Sequence, residues 1–450
     1  MPSTKPWETF AKWGDRWGEV SSATVFGHTY IVLNSYRAAN ALLNKRSGIY
    51  SDRPSLAMAG DLMGAKDLIA LVPYGDAMKS QRRMFHSHFG SKASVRAYYP
   101  MEELEAAKFM KRILDTPEQL SSHIAQSIVT LILRITYGYE VTNEDDEFVK
   151  IVQLAMADFG KASMPGSFLV DAIPLLKLLP GWFPGAAFKS LAQKWKKDLY
   201  DMIELPYAYV KQTVATGEAK ESFVSTLLPR MQAGDITEHD LKWAAGAVFG
   251  AGGDTSVATL QAFFILMLLN PDVQKKAQDE IDSVTGGHRL PTYADMEDLP
   301  YIDALCKELL RFHPVAPLAL PHRCIEDDIF EGHFIPKGST ILANTWKMTR
   351  DATVYKNPET FDPMRFMGPN AELDPREFCF GFGRRVCPGR LLAHATMFIV
   401  CTMSLSLFDI RPVEGDKPEF VSEHGTISYP RAFQCDISPR ISRQRVEELL

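Results

Sequence analysis

Cysteine is scarce in this sequence, and no two cysteines share C-x-x-C spacing. Six in 450 residues are too few for a disulfide framework, and the missing pair excludes zinc ribbons and thioredoxin-type redox motifs. Most of the six therefore read as reduced, buried small hydrophobes, with one set apart below. No uninterrupted run of roughly 18 uncharged apolar residues occurs. The nearest stretch, Ala395 to Phe408, is too short and reads as a buried helix. The opening Met1-Pro2-Ser3-Thr4-Lys5-Pro6-Trp7 lacks the apolar core of a signal peptide, so the chain as written reads as soluble. Repeats, low-complexity tracts and Pro/Gly/Ser linkers are missing too, which favours one interwoven domain over residues 1–450. Positive charge is not in excess either. The net charge of −6 argues against nucleic acid and gives no attraction to an anionic surface.

What is present is an ordinary globular composition, 46% hydrophobic and 23% charged, in a chain long enough to enclose a bulky prosthetic group. β-Branched and aromatic runs at Glu19–Phe26 and Thr29–Leu33, parted by Gly27-His28, predict a hairpin. From Ser35 onward the apolar spacing is mostly helical, over Met101–Leu114, Pro117–Tyr137, Asp145–Phe159 and Phe188–Thr216. The longest helix is predicted over Glu238–Leu269, with Thr237 and Asp240 fitting a capping box and Asn270-Pro271 stopping it. About 30 residues at 1.5 Å each span roughly 45 Å, so this apolar helix should cross the whole molecule. Short strand signals return at Phe334–Pro336 and Thr340–Leu342 and near the C-terminus. The expected class is mainly α with small β-sheets.

The segment Phe380-Gly381-Phe382-Gly383-Arg384-Arg385-Val386-Cys387-Pro388-Gly389 precedes an apolar helix, Arg390–Phe408. A thiolate ligand to iron needs close backbone approach, N–H donors near the sulfur, and cations for the heme propionates. Gly383 and Gly389 would give the first, the helix N-terminus the second and Arg385 the third. Average residue usage would produce F-x-x-G-x-R-x-C-x-G by chance in such a chain on the order of once in ten thousand.

On this motif the chain resembles the cytochrome P-450 family from about Tyr50 to Ser438, most of all its fungal members of the microsomal type. The resemblance implies a domain that encloses heme (iron protoporphyrin IX) between a long distal helix and a proximal loop, with Cys387 as axial ligand of the iron and Phe380 beside it. Within the long helix, Ala251-Gly252-Gly253-Asp254-Thr255-Ser256 carries two adjacent glycines, which cost roughly 1 kcal/mol each against Ala in a helix interior. Bare Gly252 beside Ala251 would let a flat group press on the backbone or open a bulge. Asp254 and Thr255 match the family's acid–alcohol pair, which delivers the protons that dioxygen cleavage requires. Glu308, Arg311 and Arg365 match a buried structural Glu–Arg–Arg cluster, although Met364 replaces the usual acid beside Arg365. His322, with Arg323 second, and Arg82 are the implied propionate partners. In the last motif Met78 replaces the usual tryptophan.

The pocket is expected along 55–72, 159–168, 248–255, 315–320 and 426–428, with Val248, Phe249, Val315, Leu318 and Ile427 lining it. These positions are apolar or small, which fits an apolar substrate such as a terpenoid or an aromatic compound. The apolar stretch Ser167–Pro184 reads as core or as a surface loop touching a bilayer. The expected activity is monooxygenation with dioxygen and NADPH-derived electrons. A heme-thiolate peroxygenase or rearrangement enzyme is the alternative, and a heme sensor a weaker one. No flavin or iron–sulfur motif occurs, so electrons should come from a separate reductase. Its acidic flavin domain would dock on Lys79, Arg82, Arg83, Arg376, Arg384, Arg385 and Arg390. The resemblance also implies a monomer on the cytosolic face of the endoplasmic reticulum, in a family whose relatives of this type usually carry an N-terminal membrane anchor, here absent or removed.

Overall fold

The computed structural model describes residues 2, 4–142, 145–164 and 166–450. Met1 and Ser3 of the opening motif, and Pro165 within the expected 159–168 wall, lie outside the described residues.

Helices dominate, and the sheets are small, as the periodicity predicts. The hairpin forms from β1 (Val20–Val25) and β2 (His28–Leu33), in register from Val20↔Leu33 to Val25↔His28. Its two-residue turn needs positive φ at both positions, which Gly27 takes without strain and Phe26 takes at φ 49°. Four short strands follow, β3 (His322–Arg323), β4 (Asp328–Phe330), β5 (His333–Ile335) and β6 (Thr340–Ala343). β2 pairs in parallel with β6, which also carries β3, so the sheet order is β1-β2-β6-β3. β4 with β5, and β7 (Phe408–Arg411) with β8 (Asp436–Pro439), make two-stranded sheets.

The long helix runs unbroken over Glu238–Leu269. Thr237 accepts from the Asp240 N–H at its start, without the reciprocal half of a capping box, and Asn270 ends it. It packs against Leu120–Tyr137, Glu147–Ser163, Asp76–Phe89, Ala187–Thr216 and Arg390–Leu407, so apolar residues cover nearly its whole circumference. Its glycines are packing notches: an added Cβ would meet Ile203 at Gly246, Met156 at Gly250 and Ile132 at 3.1 Å at Gly252. The expectation that bare Gly252 admits a flat group, or opens a bulge, is therefore corrected. Ile132 occupies that space and the helix is continuous.

Both Glu238–Leu269 and Arg390–Leu407 are long and apolar enough to cross a membrane, but most of each is buried in the core. The stretch Ser167–Pro184 forms a short helix, Leu169–Ala172, and a 3-10 turn, Pro174–Leu178. Its large side chains point outward, with Leu175 at 74%, Leu178 at 79% and Trp182 at 83% exposure, which decides for a surface segment over a core one.

Candidate active site

The Cys387 segment is a loop folded back on itself. The Cys387 N–H donates to Phe380 O at 2.7 Å, and a 3-10 turn at Gly383–Arg385 shapes the middle. Gly383 sits at φ 53°, its N–H on Asn44 Oδ1, and a Cβ there would lie 2.2 Å from Leu43 O. Its smallness thus serves the loop's seat on Leu43, which corrects its assignment to macrocycle approach. Gly389 fits that assignment, because nothing lies within 4 Å of where its Cβ would be.

Cys387 is deep in the molecule yet keeps accessible surface, so it faces an internal cavity. Burial pushes its thiol up. The Gly389 N–H and the positive charges of Arg82 and Arg390 pull the other way and favour thiolate. Phe380 is partly buried against the main core.

Beside the loop lies a cluster of buried cations. Arg385 donates to Ser51 O, Ile69 O and Val72 O, which fixes the chain between residues 51 and 72 against the cysteine loop. Arg53 donates to Leu320 O and Pro321 O, and its Nε has no partner among the described residues. His322 Nδ1 donates to Tyr50 O at 2.7 Å. Arg82 reaches Val386 O at 2.9 Å.

Burial and mutual repulsion lower the pKa of Arg53 to about 9 and that of Arg385 to about 10, and hold His322 neutral. Asp52 is the carboxylate that acts on Arg53 and Arg385, and its Oδ2 is already ion-paired with Arg323. Arg323 thus shares its charge with Asp52. Unpaired buried cations are costly unless an anion joins them. Arg53 was missed by sequence reading, because an Arg-Pro dipeptide carries no spacing signal.

On the long helix, Ala251 is exposed and Thr255 partly so, although most of the surrounding turns are buried. Thr255 Oγ1 donates to Ala251 O at 2.8 Å. Asp254 does not bond Thr255. Its carboxyl accepts from the hydroxyl of Tyr429, a residue sequence reading did not single out. Burial raises the Asp254 pKa, and the Tyr429 hydrogen bond offsets part of that.

Of the expected lining residues, Val248, Val315 and Ile427 are partly accessible. Phe249 is fully buried edge-on to Tyr137 at 5.7 Å, and Leu318 packs with Trp7, Phe10, Val32 and Leu342. Both are core residues, which corrects their placement in the pocket.

Glu308, Arg311 and Arg365 do come together, fully or nearly buried. Arg311 binds both Glu308 oxygens at 2.7 Å, and Arg365 Nε lies 3.1 Å from Oε2. The two arginines also donate to Thr349, Lys356, Pro358 and Thr360 carbonyls, which lead toward the cysteine loop. Met364 is exposed, so the cluster does not need an acid there.

Among the basic residues expected on the docking face, Arg376 is taken by Asp374 and Asp303, and Arg385 is buried. Arg384 binds the Tyr74 hydroxyl with its guanidinium 5.2 Å from that ring. Lys79, Arg83, Arg384 and Arg390 are exposed.

A planar, dianionic, iron-bearing group fits these residues on three counts. The thiol faces the cavity, Gly389 leaves space beside it, and the buried cations Arg53 and Arg385 have only Asp52 near them, a carboxylate already paired with Arg323.

Comparisons with known proteins agree with the geometry. The family model for cytochrome P450 matches residues 2–434. Cytochrome P450 monooxygenase 208 of Postia placenta is 41% identical, over 99% of this chain and 88% of that protein. Cytochrome P450 monooxygenase claR of Ampulloclitocybe clavipes is also 41% identical, over 100% of this chain and 85% of that one. A zebrafish cytochrome P450 structure with abiraterone shares the fold at TM-score 0.79 and 24% identity, covering 97% of this chain and 100% of that one.

Proposed function

The chain belongs to the cytochrome P450 family, whose named relatives are monooxygenases, and from that premise we propose that Cys387 holds the iron of a heme in the cavity it faces. Heme, when bound, supplies the centre at which dioxygen is activated. Arg53, Arg385 and Arg82 offset the propionates. His322 would join them only after gaining a proton, because its Nδ1–H is committed to Tyr50 O. An anion placed beside it would raise its pKa and favour that gain.

Thr255 and Asp254 deliver protons, the hydroxyl facing the cavity and the acid behind it. Val248, Ala251, Val315 and Ile427 present an apolar surface that orients a small apolar molecule, a terpenoid or an aromatic compound, for hydroxylation or epoxidation. Electrons come from NADPH through a separate flavin reductase. The outward-facing Leu175, Leu178 and Trp182 form an apolar patch suited to a bilayer interface, which supports residence at the endoplasmic reticulum. A role in fungal secondary metabolism belongs to the same reading, on the strength of the fungal relatives.

The observation that carries the reading is a deep thiol on a cavity whose rim is rich in unneutralised cations. The protein, reduced and bound to carbon monoxide, should show the red-shifted Soret band that a thiolate ligand produces. Cys387→Ala should lose it. An unchanged band in that variant would sink the assignment.

A further inference from the structure

The C-terminal segment turns back at residues 422–430, with a bridge between Ser422 and Pro430 and the Glu423 N–H on Tyr429 O at 2.7 Å. This hairpin is pinned on several sides. The Ser428 N–H donates to Val315 O at 2.8 Å, and Thr426 Oγ1 meets Ser163 Oγ at 3.1 Å. His313 Nε2 lies 3.0 Å from Ser428 O and its Nδ1 lies 3.3 Å from Ser422 Oγ. Burial drives the pKa of His313 down to about 4, so the ring is neutral near pH 7. The carbonyl partner requires the hydrogen on Nε2, which leaves Nδ1 to accept from Ser422.

From this fixed support the Tyr429 hydroxyl donates to Asp254 Oδ1 and lies 3.1 Å from Asp254 O. No charged side chain from the helices packed around Glu238–Leu269 bears on Asp254. Among the described residues, Tyr429 is the titratable group that acts on it. Tyr429 itself is held protonated by burial and by the neighbouring carboxylate, so it remains a donor throughout.

We propose that Tyr429 is a positioning residue for proton delivery: its hydroxyl clamps the Asp254 carboxyl to the pinned hairpin and keeps the acid beside Thr255 in both protonation states. The inference rests on the reading of Asp254 and Thr255 as the delivery pair. One proton leaves the Asp254 carboxyl toward the cavity. Thr255 takes one proton as it gives one, and the carboxylate left behind regains its proton from water. Tyr429 keeps its O–H bond throughout. Because it donates to the carboxylate, it favours the ionised form and sets the pH at which Asp254 lets its proton go. The clamp also makes delivery sensitive to whatever displaces the hairpin.

The test uses the heme-loaded protein with 13C-carboxyl aspartate and compares infrared spectra against Asp254→Asn to isolate one carbonyl band. In Tyr429→Phe, which keeps the ring, the protonated band should persist about one pH unit higher, a roughly tenfold gain in proton affinity. Peroxide released per NADPH oxidised with a diflavin reductase should rise several-fold in Tyr429→Phe and in Thr255→Ala. His424→Ala, exposed on the same hairpin but off the clamp, should leave the band where it was. An unshifted band in Tyr429→Phe overturns the clamp whatever the peroxide yield. A shifted band with unchanged peroxide in both Tyr429→Phe and Thr255→Ala overturns the delivery reading, and the role of the clamp with it.

Discussion

Glu308 shows what a single buried charge does in this protein. Its two oxygens are shared by Arg311 and Arg365, and a third contact comes from the Asp362 N–H at 2.8 Å. Burial pushes its pKa up, and the two guanidinium groups pull it back down. Glu308→Ala would leave two buried cations with one shared anion removed, a loss of roughly 3–5 kcal/mol. The thermal midpoint should drop by several degrees, and heme should dissociate from the variant faster than from the parent. A midpoint within a degree of the parent would show that the cluster does not brace the loop. The motif that named these three residues was legible because E-x-x-R and the downstream arginine stand at recognisable places. Arg53 was not legible, since its value lies in burial among other cations, which no local pattern encodes.

At the scale of elements, the helix Tyr99–Asp115 is joined to the helix after the cysteine, Arg390–Leu407, through one buried acid. Glu102 accepts from Tyr293 Oη at 2.8 Å and from Thr396 Oγ1 at 2.6 Å, under a Tyr99–Tyr293 stack at 3.7 Å. Burial raises its pKa to about 7 from the ordinary 4.5. A carboxyl raised in the folded state binds its proton there more tightly than in the unfolded chain. Its stabilising contribution is therefore full below about pH 4.5 and is lost as pH rises through about 7, on the order of 3 kcal/mol in all. Glu102→Gln removes that slope. Its melting temperature relative to the parent should climb between pH 5 and pH 7.5, and a constant difference would refute the assignment.

Element positions were largely readable. The bounds of Glu238–Leu269 follow from periodicity and capping residues, and the β1–β2 hairpin from its β-branched runs, although its turn falls at Phe26-Gly27, one residue earlier than the expected Gly27-His28. The Asp254–Tyr429 contact was not, because it joins residues 175 apart and depends on a hairpin held by His313 and Val315. The roles of Phe249 and Leu318 were misjudged for a related reason. Helical spacing gives the face of Phe249 only to within a wide arc, and Leu318 lies in an irregular turn with no period to read, so packing against Tyr137 and Trp7 decides that both are core.

For the molecule as a whole, charge is unevenly spread. The chain carries −6 overall, yet Lys79, Arg83, Arg384 and Arg390 are exposed around the segment that holds Cys387. A partner with an acidic face would be steered there, and the steering should fade as salt screens charges beyond about 8–10 Å. Reversing Lys79 and Arg83 to Glu should slow reduction by a diflavin reductase at low ionic strength while peroxide-driven turnover stays unchanged. Equal stopped-flow rates for the two proteins at every salt concentration would place the docking face elsewhere.

The parallel pairing of β2 with β6 has a consequence for how this chain is made. Asn34 and Asn344, 310 residues apart in sequence, share a hydrogen bond at the end of that pairing. At a synthesis rate of roughly 5–20 residues per second, about 15–60 s pass between the emergence of β2 and that of its partner. Through that interval the hairpin shows an open edge of unpaired N–H and C=O groups, flanked by the apolar Ile31, Val32 and Leu33 that later become core. A nascent chain stalled before Thr340 therefore exposes a template for strand addition, and its survival depends on being shielded until β6 arrives.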